Sequence, residues 1–255
     1  MTSISKSEAK TVRLIIKRQD SPETAPYTQE FVVPYSDNMN VVTALMEIQK
    51  NPVTSDGKEV NPVAWDCNCL EEVCGACTMI INGKARQSCS ALIDQLEQPI
   101  RLAPLTKFPV VRDLIVDRSR MFEALKKVKA WINVDGTWDL GPGPRMAQKN
   151  QEEVYPLSRC MTCGCCMEAC PNFNDKSDFL GPAPISQVKL FNAHPTGNLQ
   201  KDERLTALMG PGGLAACGNA QNCVAACPKS ISLTKSIADL NRQVNRFALS
   251  KLFDQ

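Results

Sequence analysis

The sequence predicts an α+β chain built as two domains, a β-rich one at residues 1–117 and a helical one at residues 118–255. Three observations point there. Apolar residues alternate with period two in the first third of the 255 residues, and they recur at helical spacing from about Asp117 onward. The thirteen cysteines gather into one cluster before that boundary and two after it.

Taken in order, "TVRLIIKR" from Thr11 and "TQEFVVPY" from Thr28 read as strands, β-rich and bounded by turn formers. Between Asn40 and Lys50, Val41, Ala44, Leu45 and Ile48 share one helical face, and Asn40 stands where an N-cap belongs. In "TMIINGKARQSC" the pair Asn82-Gly83 signals a type I′ hairpin, whose two central residues need positive φ. Beyond the boundary, Met121, Leu125, Val128 and Ile132 form one helical stripe, and "GPGP" from Gly141 to Pro144 interrupts the helical pattern after it. Ile237, Leu240, Val244 and Phe247 give a last amphipathic helix. His194, in "AHPTG", reads as a turn residue, and "GPAP" and "GPGG" read as turns.

Composition excludes several classes. With 43% hydrophobic and 22% charged residues the chain can bury real cores, but a net charge of +2 leaves no electrostatic footprint for nucleic acid. The one basic run, "LKKVKAW" from Leu125, reads as the solvated face of a helix. "MTSISKSEAK" lacks the apolar core of a secretory signal, and no apolar run approaches the roughly 20 residues of a membrane span. The expectation is a chain that stays in the compartment where it is made and meets a membrane only through a partner. There, thiols remain reduced, and an odd number cannot all pair, so the cysteines point to metal and not to disulfides.

In "CNCLEEVCGACTMIINGKARQSC" the spacing is C-x4-C-x2-C through Cys69, Cys74 and Cys77, with Cys89 following on the next strand. That is the plant-type 2Fe-2S pattern. A two-iron cluster asks for two sulfurs per iron from a rigid frame, and Gly75-Ala76 lets the backbone come close enough to donate N–H bonds to them. Cys67 falls out of register. Structural zinc is the rival, but its sites pair C-x2–4-C with a matching pair, often including histidine, and His194 is the only histidine.

The second cluster, "CMTCGCCMEACP", contains C-x2-C-x2-C-x3-C-P as Cys160, Cys163, Cys166, Cys170 and Pro171. Four thiols in phase with a closing proline are a cubane signature, beyond what a thioredoxin-type pair would show. The third, "CGNAQNCVAACP", repeats it with Ala220 at the second position. In two-cluster ferredoxins the fourth cysteine of each run ligates the other cluster. A 4Fe-4S cluster then takes Cys160, Cys163, Cys166 and Cys227, and Cys170, Cys217 and Cys223 remain for the other. Three thiolates hold three irons, and Ala220 offers a fourth nothing, so a 3Fe-4S cluster is expected. Cys67 and Cys165 are left over. Gly210, Gly212 and Ala215 loosely match a dinucleotide motif, but they lead into a cysteine cluster with no strand before them. No C-x-x-C-H haem site is present, and a Rieske centre needs two histidines.

A plant-ferredoxin motif followed by a bacterial-ferredoxin pair with one cysteine missing resembles the iron–sulfur subunit of succinate dehydrogenase and fumarate reductase. The likeness runs from the N-terminal strands through "FPVVRDLIVDRSRMF" to the last helix, and "CNCLEEVCGAC" and "LFNAHPTG" look most like the branch with a di-haem cytochrome b anchor. It implies a plant-type ferredoxin (β-grasp) domain and a helical bacterial-ferredoxin-like domain carrying one 2Fe-2S, one 4Fe-4S and one 3Fe-4S cluster. It also implies a flavoprotein partner with FAD that oxidises succinate, a cytochrome b membrane anchor, menaquinone as acceptor, and a peripheral place on the cytoplasmic side of the cell membrane. The chain contributes no catalytic side chain of its own. Fumarate reduction in the reverse direction, and a stand-alone multi-cluster ferredoxin, remain alternatives at this point. Members with a quinone pocket beside the 3Fe-4S cluster carry aromatics after the second C-P and a histidine after the first cysteine of the third run. Here Asn172, Phe173, Asn174 and Asp175 follow Pro171, and Gly218 follows Cys217, so quinone is expected to bind elsewhere.

Overall fold

The computed structural model describes residues 10–133 and 145–253, and the chain divides into two compact units, Met1–Asp117 and Arg118–Gln255. The interruption expected at Gly141 to Pro144 lies outside the described residues.

In the first unit, β1 (Thr11–Arg18) and β2 (Tyr27–Pro34) pair antiparallel, with Leu14 opposite Phe31. Val12, Leu14 and Ile16 alternate into the core as the period of two requires. The hairpin of β3 (Thr78–Ile81) and β4 (Lys84–Gln87) turns through Asn82 and Gly83 at φ 47° and 80°, the positive pair of a type I′ turn. β5 (Ile100–Ala103), which the sequence reading did not identify, runs parallel to β1 and antiparallel to β3. It therefore sits at the centre of the order β2-β1-β5-β3-β4. α1 (Val41–Lys50) lays Val41, Ala44, Leu45 and Ile48 into one core with Leu14, Phe31, Ile81 and Leu102. Each such aliphatic side chain contributes about 1.5–3 kcal/mol by leaving water. A two-stranded ribbon of β6 (Val110–Arg112) and β7 (Ile115–Val116) completes the unit.

The second unit begins with α2 (Ser119–Lys127), which is shorter than its stripe predicts. Met121 and Val128 are buried and Lys126 and Lys127 are solvated, but Lys129 turns to φ 50° and leaves Ile132 outside the helix. α3 (Gln148–Ser158) and α8 (Leu233–Phe253) both pack on α5 (Pro182–Ala193), which buries Pro182, Ile185, Val188 and Asn192 and forms the centre of the unit. "GPAP" opens this helix instead of making a turn. Gly181 caps it at φ 96°, and Pro182 takes the first helical position, where a missing N–H costs no intrahelical bond. His194 follows the helix end, its Nδ1 accepting from the Gly197 N–H at 3.3 Å. After α6 (Lys201–Met209), "GPGG" does turn: a Cβ on Gly212, at φ 75°, would sit 1.9 Å from the Asp178 carbonyl oxygen. A close backbone pass, and no nucleotide, explains that glycine. The last predicted stripe is α8, deep at Ile237 and Leu240 and half-buried at Val244 and Phe247.

Each unit also buries a cation. In the second, Lys189 on α5 joins Glu153 on α3 at 2.9 Å and Asp239 on α8 at 2.5 Å. Burial draws its pKa down, but the two carboxylates outweigh burial and leave it raised. In the first, Arg18 continues the buried face of β1, and its guanidinium donates to both carboxylate oxygens of Asp113, at 3.0 and 2.9 Å. Further bonds run to the Gln29 side chain and the Asn61 and Pro62 carbonyls, while Asp113 accepts from the N–H groups of Gln19 and Ala64. The pair thus ties β1, the β6–β7 turn and the segment leading to the first cysteines. Removing one member leaves the other charge buried without compensation, so Asp113→Ala is expected to destabilise the first unit by about 3–5 kcal/mol. Denaturant unfolding of the cluster-loaded protein checks this; a loss below about 1 kcal/mol would mean that Arg18 finds other acceptors.

Candidate metal centres

The first cysteine loop is shaped by backbone. Leu70, Glu72 and Gly75 take left-handed conformations, φ 61°, 54° and 71°, which turn neighbouring N–H groups toward one side. Cys69 Sγ accepts from the N–H groups of Glu71, Val73 and Cys74 at 3.4, 3.4 and 3.3 Å, and Cys74 Sγ from Ala76 at 3.4 Å. These donors pull the Cys69 thiol down to about 7. Cys77 and Cys89 are instead buried, packed with Val42 and half-buried Trp65, and burial pushes Cys89 up to about 11. Cys89 lies two residues beyond the end of β4, in the turn after the strand expected to carry it.

Side chains that the spacing did not reveal hold this loop in place. Asn40 does more than cap α1: its Oδ1 accepts from the Thr43 N–H at 2.9 Å while its Nδ2 donates to the Cys89 carbonyl at 3.0 Å. Ser88 donates through Oγ to the Cys77 carbonyl at 2.8 Å, and Ser90 to Glu72 Oε1 at 2.7 Å. Asn40 was visible as a cap. The others carried no sequence signal, because serine and glutamate near a turn are ordinary. Cys67 is exposed at the entry to the loop.

The second unit holds two cysteine-lined cavities. One is bounded by Cys160, Cys163, Cys166 and Cys227 together with apolar Ala183, Ile231 and Leu233. The other is bounded by Cys170, Cys217 and Cys223 with Asn172 and Ala220. The runs have matching backbones. Thr162 and Gly164 flank Cys163 at φ 50° and 89°, Asn219 and Gln221 flank Ala220 at 52° and 63°, and each loop leads into one short helix, α4 (Cys165–Glu168) or α7 (Asn222–Ala225). Ala220 therefore stands where Cys163 stands in the other run. Cys165 is fully buried and lines neither cavity.

Among the described residues no three His, Cys, Asp or Glu side chains gather as a single metal ion would require. Zinc needs four donors about 2.3 Å from one point. Sulfurs spread around a cavity suit a body of several irons, each taking its own thiolate. Burial raises the Cys160 and Cys223 thiols and holds Cys166 well above its ordinary value, so iron must supply the charge that draws their protons off.

A family model for a 2Fe-2S iron–sulfur cluster binding domain matches residues 13–123, and one for a 4Fe-4S dicluster domain matches residues 156–231. The succinate dehydrogenase iron–sulfur subunit of Bacillus subtilis is 66% identical over 247 residues, 97% of this chain and 98% of that protein. The chain belongs to the succinate dehydrogenase iron–sulfur subunit family. The fumarate reductase iron–sulfur subunit of Wolinella succinogenes is 29% identical, covering 92% of this chain and 96% of that protein. A chain in the Mycobacterium smegmatis Sdh1 complex in the apo form shares the fold, with TM-score 0.78 at 24% identity over 93% of this chain and 96% of that chain. As a member of its family the chain is an iron–sulfur electron-transfer subunit of the succinate dehydrogenase complex, with a 2Fe-2S domain and a 4Fe-4S dicluster domain. Among the described residues no helix is long and apolar enough to cross a membrane.

If the leftover thiols are bystanders, Cys67→Ser and Cys165→Ser will keep the native iron and sulfide content, whereas Cys74→Ser will empty or perturb the first centre. Iron analysis with visible spectra decides; cluster loss in Cys67→Ser would make that residue a ligand.

Proposed function

We propose that Cys69, Cys74, Cys77 and Cys89 hold a 2Fe-2S cluster, Cys160, Cys163, Cys166 and Cys227 a 4Fe-4S cluster, and Cys170, Cys217 and Cys223 a 3Fe-4S cluster. With them the subunit connects a FAD flavoprotein that oxidises succinate to a cytochrome b membrane anchor and menaquinone, from the cytoplasmic side of the cell membrane. The carrying observation is the division of seven cysteines between two cavities, each drawing one cysteine from the other run. When bound, the clusters supply one-electron carriers.

The chain's residues do the rest. In the first unit, amide donors on Cys69 offset anionic charge at the partly exposed side of the loop. In the second, Cys163 and Cys166 are buried in a largely apolar cavity, which limits the access of water to the four-thiolate centre. Residues 218–222, by contrast, are all exposed, which gives the three-thiolate centre an open edge toward a partner. At that edge Asn172 packs against Gly218, and among the described residues no histidine lines the cavity, whose one aromatic is the buried Phe179, so quinone is assigned to the anchor. The greater likeness to a succinate dehydrogenase subunit than to a fumarate reductase subunit favours succinate oxidation. We further propose that residues 1–117 form a domain able to carry the 2Fe-2S cluster alone.

Iron analysis should find about nine irons per chain, and the oxidised complex should give a 3Fe-4S EPR signal that mild reduction abolishes. A silent native sample would overturn the three-thiolate assignment. Ala220→Cys places a thiol on a backbone already bent like that around Cys163, so anaerobic reconstitution should convert the centre to 4Fe-4S and remove the signal. Electron delivery to quinone should then slow, while succinate oxidation with an acceptor drawing on the flavin changes much less. Retention of the three-iron signal in excess iron would assign its cause to loop geometry and not to the missing ligand.

A further inference from the structure

The two cavities of the second unit differ in more than one thiol. Both cavities have apolar side chains in their walls, Ala183, Ile231 and Leu233 in the four-thiolate one and Phe179, Pro182 and Ile237 in the other, but the three-thiolate cavity also presents carboxamides. Asn222 is already engaged, its Nδ2 donating to the Ala169 carbonyl at 3.2 Å, and Asn219 and Gln221 are exposed to water. Asn172 is different. It is half-buried, it lines the cavity along with Cys170, Cys217 and Cys223, and its carboxamide has no hydrogen-bond partner among the described residues. Water can meet this amide, but on the cavity wall it is also a donor that no protein group among the described residues uses.

Its position is held from two sides. A Cβ on Gly218 would lie 2.8 Å from Asn172 Oδ1 and 3.2 Å from Nδ2, so the carboxamide rests against the residue that follows Cys217. On the other side Phe173 is fully buried, with the Arg120 guanidinium 4.1 Å from its ring centre, and Arg120 donates to the carbonyls of Asn174 and Ser177. The segment leaving Cys170 is thereby fixed, and with it the reach of the amide.

We propose that the Asn172 side-chain N–H donates a hydrogen bond to sulfur at the centre held by Cys170, Cys217 and Cys223, and that this bond raises the centre's reduction potential. The inference rests on the ligand assignment proposed for that centre. The physical reason is that a donor stabilises the more negative, reduced state more than the oxidised one. An amide donor on this wall would favour reduction of the three-thiolate centre.

The test is an EPR-monitored redox titration of the intact complex, with the 2Fe-2S signal as internal reference. Asn172→Leu should lower the reduction equilibrium constant of the three-iron centre several-fold to about tenfold, the latter being about 59 mV for a one-electron couple. Asn172→Asp, which keeps the shape but removes the N–H and adds repulsion, should lower it further. Gly218→Ala should act in the same direction, because its Cβ displaces the carboxamide without altering Asn172 itself. Should Asn172→Leu fail to hold the centre, the other two variants carry the test. An intact signal with an unmoved potential in both Asn172→Asp and Gly218→Ala overturns the proposal, whereas a native complex without the three-iron signal overturns the ligand assignment instead.

Discussion

A thiolate is an anion, and a chain for which eleven cysteine ligands are proposed must offset that charge wherever it keeps water out. The two units meet this constraint differently. The first bends its loop through Leu70, Glu72 and Gly75 so that backbone donors face Cys69 and bring its thiol to about 7. Within the same loop system Cys89 is pushed up to about 11 by burial, so one side of the centre is offset by the chain and the other depends on iron. In the second unit burial dominates at Cys160, Cys166 and Cys223, and donors such as the Ile231 N–H on Cys227 Sγ, at 3.4 Å, leave most of the compensation to metal.

Such loops have little regular structure, so rigidity has to come from what surrounds them. The sheet supplies it in the first unit through groups far apart in sequence. Asn40 joins the start of α1 to Cys89, Ser88 joins Cys89's neighbour to Cys77, and Asp113 reaches Ala64 just ahead of the loop. In the second unit α5 does the equivalent, and its Lys189 fixes α3 and α8 around it through two carboxylates. A buried pair of this kind is weak evidence for net stability, since desolvation offsets most of the attraction. Its contribution is to register, because only one arrangement of the helices satisfies the charge.

What the sequence made legible was local. The alternation of β1, the Asn82-Gly83 turn, the Asn40 cap and the cysteine spacings each depend on residues within a few positions of one another, and each is present in the structure. β5 escaped notice because Ile100–Ala103 is four residues set between Pro99 and Pro104, and its strand character comes from partners some eighty residues back in β1 and twenty in β3. The start of α5 was misread for the opposite reason: Gly-Pro signals a turn, yet the same pair supplies a cap and a first helical residue when it leads into a helix. The fasteners of the metal loops were silent because a serine or asparagine acquires its role only when the fold brings a carbonyl to it.

The second unit shows how near-repetition can produce direction. Two runs with the same loop backbone and the same short helix differ at one ligand position, Cys163 against Ala220, and in their surroundings. Apolar side chains line both centres, but the second run is exposed along residues 218–222 and edged with carboxamides. Two identical centres would give an electron no preference between them. Changing one ligand alters cluster charge, and changing the wall alters how that charge is screened, and both act on reduction potential. On the proposed ligand assignment, the asymmetry that a relay needs is therefore built from a single missing sulfur and the carboxamides at one cavity wall, on a backbone that did not have to change.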